Sequence, residues 1–392
     1  MTPTTTYGTV TKTFHWLTAL LILTVIPLGV IANQLPYDTN DELARKAWLF
    51  SLHKTLGVII FFVALARILW AMTQRKPANL HPDRKVETFL AETVHWLLYV
   101  SLVAVPLTGW IHHAATTGFA PIWLPIGQDL PLVPKDESVA KAFAGLHWLF
   151  SKIMVASLLL HFAGALKHQF IDKDSTLQRM WFGASTPTHA HRGTAAAPIA
   201  AAVLYAGLTG LGAMAGLYSA TPAAARTALA EVSSDWVVQE GEIALTITQF
   251  NAPVTGRFGD WTAAIRFDPA ATGTMGDVTT TIAIDSLTLG SVTGQALGAD
   301  FFDAASFPTA TFAAQIVQAG DAYAAQGTLT IKDSTVPVTL PFTLEIADGV
   351  ATMAGAVTLD RRDFAIGETM GDETNLAFAV DIAVSLTASR SE

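Results

Sequence analysis

Four histidines lie within or at the start of apolar stretches long enough to cross a membrane: His15, His53, His147 and His161. An ionisable side chain at that depth is costly, so it indicates a functional site. His147 and His161 share one predicted helix and are fourteen residues apart. This spacing returns both side chains to nearly the same face, roughly 21 Å apart along the helix axis. The pattern predicts two ligand sites stacked at opposite depths of one helical bundle.

The composition is that of a membrane protein joined to a second domain. The chain has 392 residues, 51% of them hydrophobic and 14% charged. Residues 1–228 hold 17 Lys and Arg against 11 Asp and Glu, whereas residues 229–392 hold 6 against 21. Such asymmetry favours two compartments or two kinds of partner. The sequence carries no nucleotide, flavin or phosphate-binding fingerprint. No nucleic acid is expected as a partner.

Five apolar segments reach spanning length, and we predict a multi-pass protein of the bacterial inner membrane. The first begins soon after Lys12 and is too long for a typical signal peptide, so we interpret it as a retained helix. The fifth is rich in Ala, Gly and Leu and is interpreted as an anchor that carries the chain across. The segments are Phe14–Ala32, Leu52–Met72, Thr93–His112, Phe143–Gln169 and Ala197–Ser219.

Loop charges predict the orientation of these segments. The connection after the second segment and the stretch after the fourth are basic, whereas the other two loops mix both signs. Positive loops stay in the cytoplasm, so the N-terminus is predicted to be cytoplasmic and everything after residue 220 periplasmic. The basic residues are Arg75, Lys76, Arg84 and Lys85, then Lys167, Lys173, Arg179 and Arg192.

This topology pairs the histidines by depth. His53 and His147 fall near the periplasmic face, and His15 and His161 fall toward the cytoplasm. The chain has no cysteine, which excludes thiolate ligands, cysteine-held iron–sulfur clusters and covalently attached c-type haem. The expected cofactors are therefore two b-type haems, each held by two imidazoles in a four-helix bundle. Six-coordinate iron has no open position, which favours electron transfer over oxygen chemistry.

Beyond residue 220 the hydrophobic pattern changes from helical to alternating. Residues 221–235 are predicted to be a linker, and residues 236–392 a soluble antiparallel β-barrel of about eight strands. The whole chain is thus expected to be a multi-domain α plus β protein. Its predicted parts are a transmembrane di-haem bundle (1–185), a fifth transmembrane helix with a cytoplasmic lead-in (186–220), the linker and the barrel.

Several motifs in the first half resemble the bacterial cytochrome b561 family. They are FHW at 14–16, LHKTLG at 52–57, and LHWLFSKIMVASLLLHFAGALKH at 146–168 with the FIDKDSTLQRM that follows. The resemblance covers about residues 7–183. It implies a quinone-linked di-haem membrane protein with the same four haem ligands, and it points to superoxide as electron donor and ubiquinone as acceptor.

Other polar residues of the bundle are weaker candidates. Arg67 faces the same way as His53 and would pair with a haem propionate or extend to the interface. His95 and His168 are candidates for quinone binding, with an interfacial position as the alternative. The remaining candidates would form a positive periplasmic mouth or lie among headgroups: Lys54, His112 and His113. The histidines at 81, 189 and 191 are assigned to loops.

The second half resembles the YceI family, a lipocalin-like barrel that binds isoprenoid chains, including quinone-type lipids. The matching stretches include GRFGDWTAAIRFDP at 256–269, DFFDAASFPTATFAA at 300–314 and RRDFAIGE at 361–368. Arg361 and Arg362 are possible headgroup contacts. An eight-stranded barrel can enclose one elongated ligand. The aromatic residues predicted to face the lumen, or simply to fill a core, are Phe250, Phe258, Trp261, Phe301, Phe312 and Phe342.

We expect an oxidoreductase that moves electrons between a periplasmic donor, superoxide by resemblance, and the membrane quinone pool. The barrel would hold an isoprenoid lipid or quinone. One alternative is a quinol dehydrogenase that feeds a periplasmic acceptor. The other is a lipid-binding or transport module for which the cytochrome serves as redox sensor or anchor.

Overall fold

The structure is a computed structural model that describes residues 7–74, 80–81, 83–181, 195–219, 227–320 and 322–391. The chain divides into two compact units. The first comprises Met1–Gln34, Leu49–Thr116 and Pro121–Thr221, and the second comprises Leu35–Trp48, Thr117–Ala120 and Pro222–Glu392.

The described part of the chain contains five helices long and apolar enough to cross a membrane. They are apolar on nearly every side, which is the pattern of helices whose solvent is lipid. Their interior contains Ile22, Ile60 and Leu102. The helices are α1 (Thr9–Gln34), α2 (Asn40–Thr73), α3 (Lys85–Ala114), α4 (Glu137–Lys167) and α5 (Ala196–Met214).

Helix α2 begins twelve residues before the predicted start at Leu52. Its first turn carries Asp41 and Glu42, and acidic side chains there are stabilised by the positive end of the helix dipole. Because charged residues are interspersed with apolar ones over these turns, a search for a continuous apolar run does not reveal them. His53 therefore lies well inside the helix and not at its start.

Helix α5 packs closely on α3. Ala197 and Ala201 are buried, and such small side chains let two helix backbones approach. The Ser101 hydroxyl and the Tyr205 hydroxyl lie 2.5 Å apart and share a hydrogen bond. The fifth helix is thus attached to the bundle by specific contacts.

The second unit contains a ten-stranded antiparallel sheet that curls into a half-barrel. The order of the strands is β3-β4-β6-β7-β8-β9-β10-β1-β2-β5. This bears out the predicted barrel class. The strands are β1 (Trp236–Gln249), β2 (Ala252–Phe258), β3 (Trp261–Phe267), β4 (Thr274–Ala283), β5 (Leu287–Thr288), β6 (Thr309–Ala319), β7 (Ala322–Ile331), β8 (Ser334–Ala347), β9 (Val350–Asp360) and β10 (Leu376–Arg390).

Two local features raise the strand count from the expected eight to ten. The stretch GRFGDWTAAIRFDP contains parts of two strands, because the chain turns a corner at Gly259 and Asp260 between β2 and β3. Strand β5 has only two residues, paired with Arg257 and Phe258. Neither feature interrupts the hydrophobic alternation strongly enough to be read from the sequence.

Several sequence predictions fall outside the described residues. They concern most of the cytoplasmic lead-in (182–194), the start of the linker (220–226) and part of the basic loop after α2 (75–79). The residues affected are Arg75, Lys76, His189, His191 and Arg192.

Candidate functional site

The four membrane histidines form two facing pairs in the first unit. The ring centres of His53 and His147 are 6.4 Å apart with planes at 89°. Those of His15 and His161 are 6.2 Å apart with planes at 61°. An imidazole nitrogen lies about 2 Å from a bound metal, so two imidazoles on opposite sides of one metal ion have centres roughly 6.3 Å apart. Both pairs have the separation that a shared iron requires.

Each imidazole of the pair formed by His53 and His147 is oriented by a backbone carbonyl. The Nδ1 atom of His53 lies 2.9 Å from the carbonyl oxygen of Val25 on α1. In the same way, the Nδ1 atom of His147 lies 2.9 Å from the carbonyl oxygen of Val105 on α3. An imidazole that donates its Nδ1 proton to a carbonyl presents Nε2 as the ligand atom.

Glycines make room for these two rings. A Cβ atom on Gly29 would lie 2.6 Å from the Cε1 atom of His53, and one on Gly109 would lie 2.9 Å from Nδ1 of His147. Contacts this short do not occur, so any larger residue would displace the imidazole. Each glycine lies four residues after the valine whose carbonyl accepts from that ring. The donor set and the space around it therefore fit a bis-histidine haem.

His95 lies beside the other pair but does not have the geometry of a ligand. Its ring centre is 5.1 Å from that of His161, at 76°, which leaves too little space for a metal between them. Its Nδ1 atom lies 2.7 Å from the carbonyl oxygen of Ala91 in its own helix. His95 is therefore a neighbour of His161, close enough to contact a group that His161 binds.

Arg67 lies at the same end of the bundle. One guanidinium nitrogen is 3.4 Å from Nδ1 of His15, and the guanidinium lies over the Tyr99 ring at 5.5 Å. An arginine at the edge of a histidine pair is suited to a carboxylate such as a haem propionate.

The proposed positive mouth is not an open surface. Lys54 is only 6% exposed, and its ammonium lies 3.4 Å from Oε1 of Gln128. The same glutamine donates to the carbonyl of His113 at 2.8 Å. His112 and His113 are half-buried, with Nδ1 of His112 2.8 Å from the carbonyl of Ala140. Lys54 is covered because the loop after α3 folds back over it.

A polar cluster that sequence reasoning did not assemble surrounds His168 after α4. A carboxylate oxygen of Asp174 lies 2.7 Å from Nδ1 of His168 and 2.9 Å from Nε2 of His81. Burial alone would raise the pKa of Asp174, but hydrogen bonds from Thr176 and from the two histidines hold this pKa well below its usual range. Glu87, on α3, lies 3.4 Å from Nε2 of His168. An ionised carboxylate thus faces both histidines.

The barrel encloses an apolar cavity. Five of the six predicted lumen aromatics line it: Phe258, Trp261, Phe301, Phe312 and Phe342. Phe250 does not line the cavity but packs against the buried Met370 and Leu376, which is the core-filling alternative. This residue lies in the turn after β1, with a φ of +50°, and its ring contacts Phe119 instead, with centres 6.3 Å apart. Once the strand ends, the alternation that would point the side chain inward no longer applies.

Arg361 is part of the cavity wall and not a free headgroup contact. It is 4% exposed, and its guanidinium donates to five backbone carbonyls. The acceptors belong to Ile366, Gly367, Met370, Leu376 and Ala377, at 2.5 to 3.5 Å. Its neighbour Arg362 pairs with Asp360 at 2.6 Å. Both guanidinium groups are therefore engaged in contacts within the protein, Arg361 with backbone carbonyls and Arg362 with Asp360.

Comparison with known proteins gives two regions of similarity. The family described as prokaryotic cytochrome b561 matches residues 6–183, and the YceI-like domain matches residues 236–388. Cytochrome b561 homolog 2 of Escherichia coli is 34% identical over 176 residues, which is 44% of this chain and 90% of that protein. The "Probable superoxide oxidase CybB" of Yersinia pestis is 24% identical, over 42% of this chain and 90% of that protein.

The second region also has relatives among solved structures. BcnA of Burkholderia cenocepacia is 33% identical, covering 38% of this chain and 96% of that one, with a TM-score of 0.36. The YCEI protein of Campylobacter jejuni is 23% identical, covering 35% and 85%, with a TM-score of 0.32.

Proposed function

Because the chain belongs to the prokaryotic cytochrome b561 family over residues 6–183 and ends in a YceI-like domain, we propose that it passes electrons through two stacked b-type haems to the membrane quinone pool. The family implies b-type haem and electron transfer across the membrane. The observation that carries the proposal is the pair of imidazole separations, 6.4 and 6.2 Å, each of which suits one iron.

His53 and His147 would hold one haem, and His15 and His161 the other. A bound haem supplies an iron that gains and loses one electron. The protein fixes the Nε2 atom of each ligand through backbone carbonyls in the first pair. In the second pair, Arg67 provides a positive charge for a propionate.

The space that Gly109 leaves for the ring of His147 provides a direct test of the assignment of His147 as a haem ligand. Gly109→Ala places a methyl group against His147 and is expected to lower the haem content of the purified chain from about two to about one. Gly164→Ala is the matched control, since a Cβ there meets nothing within 4 Å. Haem is counted per chain by extraction and absorbance. Two haems in the Gly109→Ala protein would contradict the placement of a haem at His147.

Superoxide is the proposed donor. Two superoxide anions would each give up one electron and leave as O2, while one quinone takes up two electrons and two protons to become quinol. The support is similarity to a protein whose name describes it as a superoxide oxidase. Lys54, His112 and His113 would add positive potential beside the haem between His53 and His147 and so attract the anion. The reverse direction, from quinol to a periplasmic acceptor, uses the same ligands.

The quinone would be reduced near the other haem, where His168 and Asp174 lie. A quinone that receives electrons must also receive protons, and His168 is a general acid held in place by an ionised carboxylate. His95, beside His161, would contact the quinone ring. The basic residues Arg84, Lys85, Lys167 and Lys173 share this end of the bundle, which supports its cytoplasmic orientation. The barrel would then be periplasmic and would hold an isoprenoid lipid or quinone in its apolar cavity.

The decisive experiment is a reduced-minus-oxidised visible spectrum of the purified full-length chain, followed by addition of superoxide and a soluble quinone. We expect two b-type haems per chain, rapid reduction by superoxide and onward transfer to quinone. Reduction of the haems by quinol and not by superoxide would mean that electrons flow the other way, from quinol to a periplasmic acceptor. A chain without haem would contradict the whole proposal and leave a membrane-anchored lipid-binding barrel.

A further inference from the structure

One polar side chain inside the barrel lacks a partner. Gln249 is the last residue of β1 and lines the cavity. It is 3% exposed, and among the described residues its Oε1 atom is enclosed without a hydrogen bond. Its backbone pairs with Leu376 and Ala252, where β10 and β2 begin. The amide therefore provides a polar point at one end of an apolar lumen.

A buried acceptor with no donor weakens a folded protein, and such groups in native structures usually have an external partner. Two other polar groups of the cavity lining are already used. Gln295 donates to the carbonyl of Tyr37 at 3.3 Å, and the Arg361 guanidinium is taken up by five carbonyls. The group still needed in the cavity is a hydrogen-bond donor.

An anionic ligand is disfavoured because it would lose its hydration in this apolar lumen. A phosphate or carboxylate would bring acceptor oxygens against the Oε1 acceptor. Arg361, which lines the cavity, gives its N–H donors to backbone carbonyls, and Arg362 is paired with Asp360, so neither presents free donors to such a group. A hydroxyl group satisfies Oε1 and carries no charge.

We propose that the barrel selects an uncharged isoprenoid that bears a hydroxyl group, a prenyl alcohol or a quinol, and that Gln249 Oε1 accepts the hydrogen bond from that hydroxyl. This inference rests on the proposed isoprenoid-binding role of the barrel and adds the chemistry of the ligand's polar end.

The test is competition for binding of tritiated geranylgeraniol to the full-length protein in detergent. The competitors are unlabelled geranylgeraniol, its methyl ether, which only lacks the donor, and geranylgeranyl phosphate. We expect the alcohol to bind about tenfold more tightly than the ether or the phosphate. Gln249→Met, which keeps the side-chain length without the amide, is expected to bind the alcohol and the ether equally. Gln249→Leu is a second variant with the same expectation.

If Gln249 only stabilised the fold, its replacement would lower the midpoint of thermal unfolding. Removing an unpartnered acceptor should leave the midpoint of thermal unfolding unchanged or higher, so lost selectivity with retained stability supports the inference. Thr280→Val changes another polar residue of the lining and should retain the preference for the alcohol. Equal binding of alcohol and ether by the wild-type chain, or tightest binding of the phosphate, overturns the inference but leaves the barrel's lipid-binding role intact. Failure to bind any of the three overturns both.

Discussion

Replacing His147 with alanine is expected to remove one haem and leave the other, so that haem content falls from about two to about one per chain. The reason is geometric, because His147 and His53 face each other at a separation that fits one iron, whereas His15 and His161 belong to the other pair. A single remaining imidazole holds a b-type haem weakly. Electron transfer from superoxide to quinone should cease, since the chain of carriers is broken.

His112→Ala is the matched control for this experiment. His112 lies on α3 near the same end of the bundle but bonds to the carbonyl of Ala140. Its loss should leave both haems in place. The EPR spectrum gives a second readout: the 89° angle between the planes of His53 and His147 predicts a strongly anisotropic low-spin ferric signal, and this signal should disappear in the His147→Ala protein. Loss of both haems would mean that the pairing is wrong or that the bundle collapses.

Replacing Arg361 with methionine is expected to destabilise the barrel by about 3 kcal/mol or more. The substitution leaves five backbone carbonyls without their donor at a site that is 4% exposed. Methionine fills much of the same volume, so the loss reports on the hydrogen bonds and less on a cavity. The measurement is urea-induced unfolding of the full-length chain, with haem absorbance followed separately to show that the bundle is unaffected.

The neighbouring residue provides the control. Arg362→Met removes the same charge one position later, but Arg362 is exposed and pairs with Asp360 on the surface. Exposed ion pairs contribute little to stability, so this variant should unfold at nearly the wild-type urea concentration. If the two variants unfolded at the same urea concentration, the hydrogen bonds from Arg361 to the backbone carbonyls would not be what stabilises the barrel.

The main architecture follows from the sequence because its signals are long and periodic. Spans of about twenty apolar residues predict membrane helices, and alternating strands predict a barrel. The fourteen-residue spacing of His147 and His161 predicts two levels in one bundle. Helix ends are less predictable, since the first three turns of α2 mix charged and apolar residues and do not form a continuous apolar run.

The finer parts of the sites depend on contacts between residues distant in the chain. Asp174 meets His81 across ninety-three positions, and Gln128 reaches Lys54 across seventy-four. Periodicity carries no information about such pairs. Phe250 shows a limit of the local pattern. It lies one residue beyond the end of β1, where the alternation no longer predicts which way a side chain points. Gly29 and Gly109 were accessible in principle, since glycine inside a membrane helix often marks a close approach.

The surroundings of His53 and His147 are built twice from the same parts. On α1 and again on α3, a valine carbonyl and a glycine four residues later receive one imidazole. An iron between these rings would meet the same ligand, the same carbonyl and the same notch on both faces. The two ligands of a haem held here would have alike surroundings and would not distinguish its two faces, so we expect both insertion isomers to coexist there.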